Sequence, residues 1–308
     1  MAAIEVAGLT KEYRGRRGPV RALDGLDLEV PEGGVFGFLG ANGAGKTTTI
    51  RAAVGHLRAN RGTMRVLGAT IPDELPKVID RIGALVEQPS FFPGFSGRRN
   101  LELLARSRQI PLARVTTVLA TVGLEARADS KFATYSLGMK QRLGVAAVLL
   151  KEPELLILDE PANGLDPQGI LEMRNLLRQL AGEGRTVFVS SHILSEIQQT
   201  CDRVAIVAHG RTIVSGTVHD LLQGAVSRFR VAVPGDAAEH AEAANALAAA
   251  GFRGTNDERG RLVVEVTADR AHEVTRALSA ASIYLSELSP IERTLEEAFL
   301  ELTHEEPR

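Results

Sequence analysis

Short apolar runs broken by polar turns dominate the first two thirds of the chain. Val35-Phe36-Gly37-Phe38-Leu39 is too short for a helix and apolar throughout, so it reads as a buried parallel strand. Residues 4–34 before it read as short strands and turns. Asp24-Gly25 looks like a hairpin turn, and Pro31-Glu32-Gly33-Gly34 is a second break. Thr48-Thr49-Ile50-Arg51-Ala52-Ala53-Val54 has helical character. Val66-Leu67-Gly68 and Ile82-Gly83-Ala84-Leu85-Val86 are further short runs. From residue 98 to about 150 the pattern turns helical, with Leu101, Leu104 and Ala105 at helical spacing. Leu155-Leu156-Ile157-Leu158 and Thr186-Val187-Phe188-Val189-Ser190 are buried strands, separated by a helix over residues 167–181. Residues 201–207 and 212–214 complete the sheet. Strands alternating with helices predict an α/β fold with a parallel sheet.

The pattern changes near Gly224. Arg228-Phe229-Arg230-Val231-Ala232-Val233 alternates like a half-exposed strand. A helix over 237–250, a strand over 261–266, a helix over 269–280 and a strand over 283–288 follow. This β-α-β-α-β order predicts a small, roughly ferredoxin-like α+β domain over residues 223–308, after a first domain over 1–222. A last helix is marked by the capping box Thr294-x-x-Glu297 and the stripe Leu295, Ala298, Phe299 and Leu302. This domain offers no acid–base pair, metal spacing or Gly-rich loop.

Composition changes this picture little. The 308 residues are 44% hydrophobic and 24% charged, as in an ordinary globular protein. The net charge of −2 gives no electrostatic reason to expect nucleic acid. The single cysteine, Cys201, excludes an internal disulfide and a cysteine-rich zinc site, and fits a reducing compartment. The N-terminus runs directly into a strand-like pattern, so no signal peptide is expected. No apolar run approaches the ~20 residues that span a bilayer. If this chain helps to move a solute across a membrane, another chain supplies the pore.

The chemistry is concentrated in Gly40-Ala41-Asn42-Gly43-Ala44-Gly45-Lys46-Thr47, which reads G-x-x-x-x-G-K-T. This is the phosphate-binding loop of nucleotide triphosphatases. Glycines let the backbone curl until several N–H groups face one anion. Lys46 brings a full charge to the outer phosphates, and the Thr47 hydroxyl suits Mg²⁺. The loop should end at a helix N-terminus near Thr48, whose dipole also favours phosphate. Leu155-Leu156-Ile157-Leu158-Asp159-Glu160 is an apolar strand ending in two carboxylates. Asp159 is placed to hold Mg²⁺ beside Thr47, and Glu160 to polarise an attacking water.

Tyr135-Ser136-Leu137-Gly138-Met139-Lys140-Gln141-Arg142 precedes that strand. Ser136 suits a plain helix N-cap. The stretch also resembles the Leu-Ser-Gly-Gly-Gln signature of the ATP-binding-cassette (ABC) ATPases. Ser136 and Gly138 keep the serine and second-glycine positions, while Leu137 and Met139 depart from the glycine and glutamine. The resemblance covers residues 4 to about 220. It implies a P-loop ABC domain with a RecA-like core, an antiparallel β subdomain and a helical signature subdomain over about 89–150. It further implies ATP and Mg²⁺ as cofactors, and a head-to-tail homodimer in which Ser136 and Gly138 meet the other copy's ATP. Gln88 occupies the glutamine-loop position, implying contact with Mg²⁺ and water. His192 occupies the switch position, implying contact with the γ-phosphate. Asn163-Gly164-Leu165-Asp166 resembles the D-loop, and Asp166 is also a plausible N-cap for the helix at Pro167. Tyr13 resembles the aromatic that stacks on adenine.

Within that family the resemblance implies the ATPase subunit of a transporter, peripheral to the cytoplasmic face of the membrane and working with a separate permease. The alternative is a soluble ABC ATPase acting on ribosomes or nucleic acid. One phosphate loop and no long coiled coil argue against it. Phe91-Phe92-Pro93-Gly94-Phe95 falls where the family's membrane subunit docks, although ordinary packing would equally explain it. The signature variant and the closing Thr294-Leu295-Glu296-Glu297-Ala298-Phe299 resemble bacterial drug- and bacitracin-resistance exporters.

Overall fold

The protein, a computed structural model, is described over residues 2–15, 18–86, 90–222, 228–235, 237–257 and 261–291. The chain forms two compact units, Met1–Val218 and His219–Arg308.

The first unit opens with two long antiparallel strands, β1 (Ala2–Gly15) and β2 (Gly18–Pro31). Asp24-Gly25 is not the hairpin turn that the sequence suggests. Pairing passes from Leu9↔Leu26 to Thr10↔Asp24, which leaves Gly25 as the extra residue of a β-bulge at φ +73°. β3 (Gly34–Leu39) follows the break at Glu32 and Gly33, and α1 (Lys46–Ala53) follows β3. β4 (Arg61–Val66) and β5 (Ala69–Thr70) complete an antiparallel sheet of order β2-β1-β4-β5.

After β6 (Ile82–Leu85) the helical stretch resolves into α2 (Gly97–Ser107), α3 (Ala113–Thr121) and α4 (Leu137–Leu149). Ser96 and Ser136 cap α2 and α4 through their hydroxyls. The remainder is β7 (Leu155–Leu158), α5 (Pro167–Gly182), β8 (Thr186–Ser191), α6 (Leu194–Thr200), β9 (Arg203–Ala208) and β10 (Arg211–Thr217), and α7 (Val218–Leu222) begins at the unit's last residue. The central sheet has order β10-β9-β3-β8-β7-β6, parallel except for β10.

β3 and β8 are apolar on both faces because the sheet buries both. Phe188 packs its ring 6.0 Å from Phe36 and 5.3 Å from Phe38. Each such side chain contributes about 1.5–3 kcal/mol on burial. The order β3-β8-β7 has a functional consequence. Three neighbouring parallel strands end at one edge, so the loops after them gather in one place.

The second unit is a four-stranded antiparallel sheet of order β12-β13-β11-β14, with β11 (Arg228–Ala232), β12 (Arg253–Asn256), β13 (Leu262–Glu265) and β14 (Glu287–Ile291). α8 (Ala237–Ala249) follows β11 and α9 (Ala271–Ala280) follows β13. The order is β-α-β-β-α-β, a complete ferredoxin-like arrangement with one strand more than the sequence pattern suggests. β12 escapes notice because Arg-Gly-Thr-Asn is exposed along its whole length and carries no apolar alternation. Phe229, Val231, Val264, Val274 and Leu278 form this unit's core. The capped helix expected at Thr294 lies outside the described residues.

Candidate functional site

The loop from Gly40 to Gly45 joins β3 to α1 under tight steric control. A Cβ on Gly40 would sit 2.5 Å from the carbonyl oxygen of Val207. Gly45 lies at φ +109°, and a Cβ there would approach Leu23 Cδ2 to 2.7 Å. Only glycine fits either position. Thr49 N–H already bonds Gly45 O at 2.9 Å, and the amides before it belong to a helix N-terminus. Those amides and the helix dipole favour an anion in the loop.

Lys46 is only 5% exposed, so its charge must be compensated. Its Nζ donates to Gly40 O at 2.6 Å and Ala41 O at 3.3 Å, and lies 3.2 Å from Glu160 Oε1. Glu160 stands at the end of β7 with φ +49°, a conformation uncommon for a non-glycine residue. Its other carboxylate oxygen is 2.8 Å from His192 Nδ1, just beyond β8. One carboxylate therefore lies between the loop lysine and the histidine.

Ser190 holds this corner together. Its hydroxyl donates to Asp159 Oδ1 at 2.5 Å and accepts the Glu160 N–H at 2.9 Å. Asp159 Oδ2 accepts from Thr47 Oγ1 at 2.8 Å. A hydroxyl and a carboxylate meeting beside a phosphate loop form an all-oxygen donor set, which suits Mg²⁺. Among the described residues no group of three His, Cys, Asp or Glu could hold a metal unaided. A cation here would complete its shell with phosphate oxygens and water, as Mg²⁺ prefers.

The cleft over this corner encloses about 500 Å³, within the range of small-molecule sites. Asn42, Gly43, Gly45, Lys46, Thr47, Thr48, Glu160 and His192 line it. Ala44 sits behind the loop, buried, with its carbonyl bonded to Gly210 N–H at 3.0 Å. Tyr13 is half-exposed directly across the strand pair from Val20, with Lys11 Nζ 5.4 Å above its ring. Val20, Arg21 and Ala22 form the wall on that side. Gln88 lies outside the described residues.

Ser136, Gly138 and Asp166 stand apart from this cleft. Ser136 is exposed and caps α4 by accepting Met139 N–H at 3.3 Å. Asp166 caps α5 by accepting Gly169 N–H at 2.9 Å. Leu137 turns toward the 163–166 turn, where a Cβ on Gly164 would meet its Cδ2 at 3.2 Å.

Sequence reasoning missed several residues of the cleft and its support. Val20, Arg21 and Ala22 carry no local signal, because only strand pairing brings them here. Asn163, singled out in sequence only as part of the stretch that resembles the D-loop, also lines the cleft. Ser190 does leave a trace: it is a polar residue ending an apolar strand, immediately before Ser-His. The phenylalanines divide. Phe91 is buried edge-on against Phe132 at 5.1 Å, whereas Phe92 (60% exposed) and Phe95 pair outward at 5.3 Å.

Comparison with known proteins identifies a family. Residues 23–163 match the ABC transporter family. The uncharacterized ABC transporter ATP-binding protein YhcH of Bacillus subtilis is 40% identical over 98% of this chain and 96% of its own length. The daunorubicin/doxorubicin resistance ATP-binding protein DrrA of Streptomyces peucetius is 37% identical over 98% of this chain and 92% of its own. Both alignments extend through the second unit. Among solved structures, the CbiO1 subunit of Clostridium perfringens, part of an ABC transporter complex, matches at TM-score 0.64 and 29% identity. That match covers 71% of this chain and 90% of CbiO1.

Proposed function

The chain belongs to the ATP-binding subunits of ABC transporters, and on that premise we propose that two copies close around two ATP molecules to drive a separate membrane permease. It is an ATPase, and ATP is its nucleotide. The observation that supports the assignment of roles is the meeting of Lys46, Asp159, Glu160 and His192 at the ends of β3, β7 and β8.

Gly40 to Thr48 hold the phosphates, with Tyr13 and the Val20–Ala22 wall beside the base. Mg²⁺, held by Thr47 and Asp159 with Gln88 from the glutamine loop, would offset charge on the β- and γ-phosphates. Lys46 exchanges its contact with Glu160 for the γ-phosphate. Glu160 is then free to orient the attacking water, and His192 donates to the γ-phosphate. The exposed Ser136, with the N-terminus of α4 and Gly138, supplies an anion site to the partner copy's ATP. Asp166 orients the turn that reports between the two sites. ATP thus acts as the glue of the dimer, and hydrolysis loosens it.

Among the described residues no helix is long and apolar enough to cross a membrane. In this reading the permease is a separate chain and this one sits at the cytoplasmic face of the membrane, as a peripheral subunit. Phe92 and Phe95 give an exposed aromatic anchor for it. The likeness to a drug-resistance ATPase over nearly the whole chain favours export of a drug-like compound. The test is a pull-down of the tagged protein from detergent-solubilised membranes. A polytopic membrane protein should co-purify with wild type and be lost with Phe92→Ala, while ATPase activity of the free subunit persists. Ribosomes or DNA in the eluate would instead move the ATPase to the soluble class.

A further inference from the structure

A second, smaller cavity of about 30 Å³ shares Glu160 with the nucleotide cleft and is otherwise lined from α5, the end of β8 and α6. Besides Glu160, two charged side chains line it, and neither belongs to the chemistry described above. Glu196 comes from α6 and Arg174 from α5. Glu196 Oε1 and Arg174 Nε are both buried and without a hydrogen-bond partner. An unpaired buried polar atom costs about 1–3 kcal/mol, so two facing one cavity call for a common partner. The space exceeds the roughly 10–15 Å³ that one water needs, and donor and acceptor are both present.

The other oxygen of Glu196 reaches forward. Ser191 Oγ lies 3.3 Å from Glu196 Oε2 and accepts the Ile193 N–H at 3.0 Å. Between Ser191 and Ile193 sits His192, whose ring meets Glu160. The two serines ending β8 thus divide the work: Ser190 fixes Asp159 and Glu160, and Ser191 fixes the turn that carries the histidine. Burial pushes the Glu196 carboxyl up from its ordinary range, and the nearby Glu160 charge adds to this. Such a carboxyl gains from a bridging donor.

We infer that Glu196 is a positioning residue for hydrolysis: bridged to Arg174 by one ordered water, it braces the Ser191–Ile193 turn and holds His192 against Glu160. This rests on the roles proposed above for Glu160 and His192. Glu196 touches neither nucleotide nor water nucleophile, so its loss should act on turnover and not on ATP binding. A misplaced group of this kind costs about tenfold or more in rate.

The experiment compares Glu196→Ala and Glu196→Gln in the full chain with Mg²⁺ and ATP. In Glu196→Ala kcat should fall about tenfold with KM changed less than about twofold. Glu196→Gln keeps one acceptor oxygen for Ser191 and turns its NH2 donor to the water, which can accept from it, and should retain at least about half of wild-type kcat. Wild-type kcat in Glu196→Ala, a joint loss of turnover and ATP affinity, or equal damage in both variants would overturn the inference. Should Glu196→Ala not fold, a high-resolution crystal structure of the wild-type chain decides. Water density within hydrogen-bonding distance of Glu196 Oε1 and Arg174 Nε supports it, and a direct ion pair or a dry cavity refutes it. The nucleotide-site reading is judged separately, since wild-type ATPase that vanishes in Glu160→Gln stands whatever Glu196 does.

Discussion

Ser190→Ala removes one oxygen atom from a fully buried position and two bonds with it. The first, to Asp159 Oδ1, has a charged acceptor, and such bonds contribute about 1.5–3 kcal/mol. The second satisfies the Glu160 N–H, whose exposure to an apolar hole costs about 1–3 kcal/mol. Neighbouring losses share their relaxation, so the expected sum is about 2–4 kcal/mol and not the arithmetic maximum. For a unit of this size each kcal/mol lowers Tm by about 2–4 °C, so the shift should be roughly 4–16 °C. Glu160 also loses the tether at its unusual φ, and kcat should fall along with stability. Thermal melts followed by circular dichroism, with steady-state ATPase on the same samples, measure both. In an Asp159→Ala background the same substitution should cost about 1–2 kcal/mol less, because its charged partner is gone. A Tm within about 1 °C of wild type, with full turnover, would refute the claim that Ser190 organises this corner.

Three further outcomes follow from the same geometry. Glu160→Gln should bind ATP, lose at least about 10²-fold in turnover and accumulate an ATP-dependent dimer by light scattering; near-normal turnover would remove Glu160 from its role. Cys201 is buried and burial raises its thiol well above the ordinary range, so a disulfide reagent at about pH 8 should label it only after denaturation. Rapid stoichiometric labelling of the native chain would contradict that placement. Glu74 accepts from Lys77 and from the Thr70 backbone, and its pKa falls from 4.5 to about 2. A lowered folded-state pKa stabilises above the unfolded value and is lost as pH drops from about 4.5 toward 2. Wild type should therefore melt above Glu74→Gln at about pH 6, and the difference should close by about pH 2. A pH-independent difference would mean that ionisation of Glu74 plays no part.

The nucleotide loop was legible because its constraints are local. Eight consecutive residues set the curl of the backbone, the positive φ at Gly45 and the charge of Lys46. The same holds for β3, β7 and β8, whose apolar runs announce burial on both faces, and for the caps Ser136 and Asp166. Asp159 and Glu160 could be paired with the loop by chemistry before any geometry was known. Other features depended on partners distant in sequence. Gly25 became a bulge and not a turn because β1 and β2 pair past it, and β12 formed on backbone bonds to β13 with no apolar signal of its own. Tyr13 and Val20 face each other through strand register, which put Val20 and its neighbours on the cleft wall. Leu137 was ambiguous in sequence until packing turned it onto the 163–166 turn. Ser190 and Glu196 gained their meaning only from the order β3-β8-β7 and the seat of α6. Backbone conformation and hydrophobic period are set by residues a few positions apart, so one chain read in order reveals them. Which buried polar atoms meet is set by strand order and register, and those emerge only when the sheet assembles.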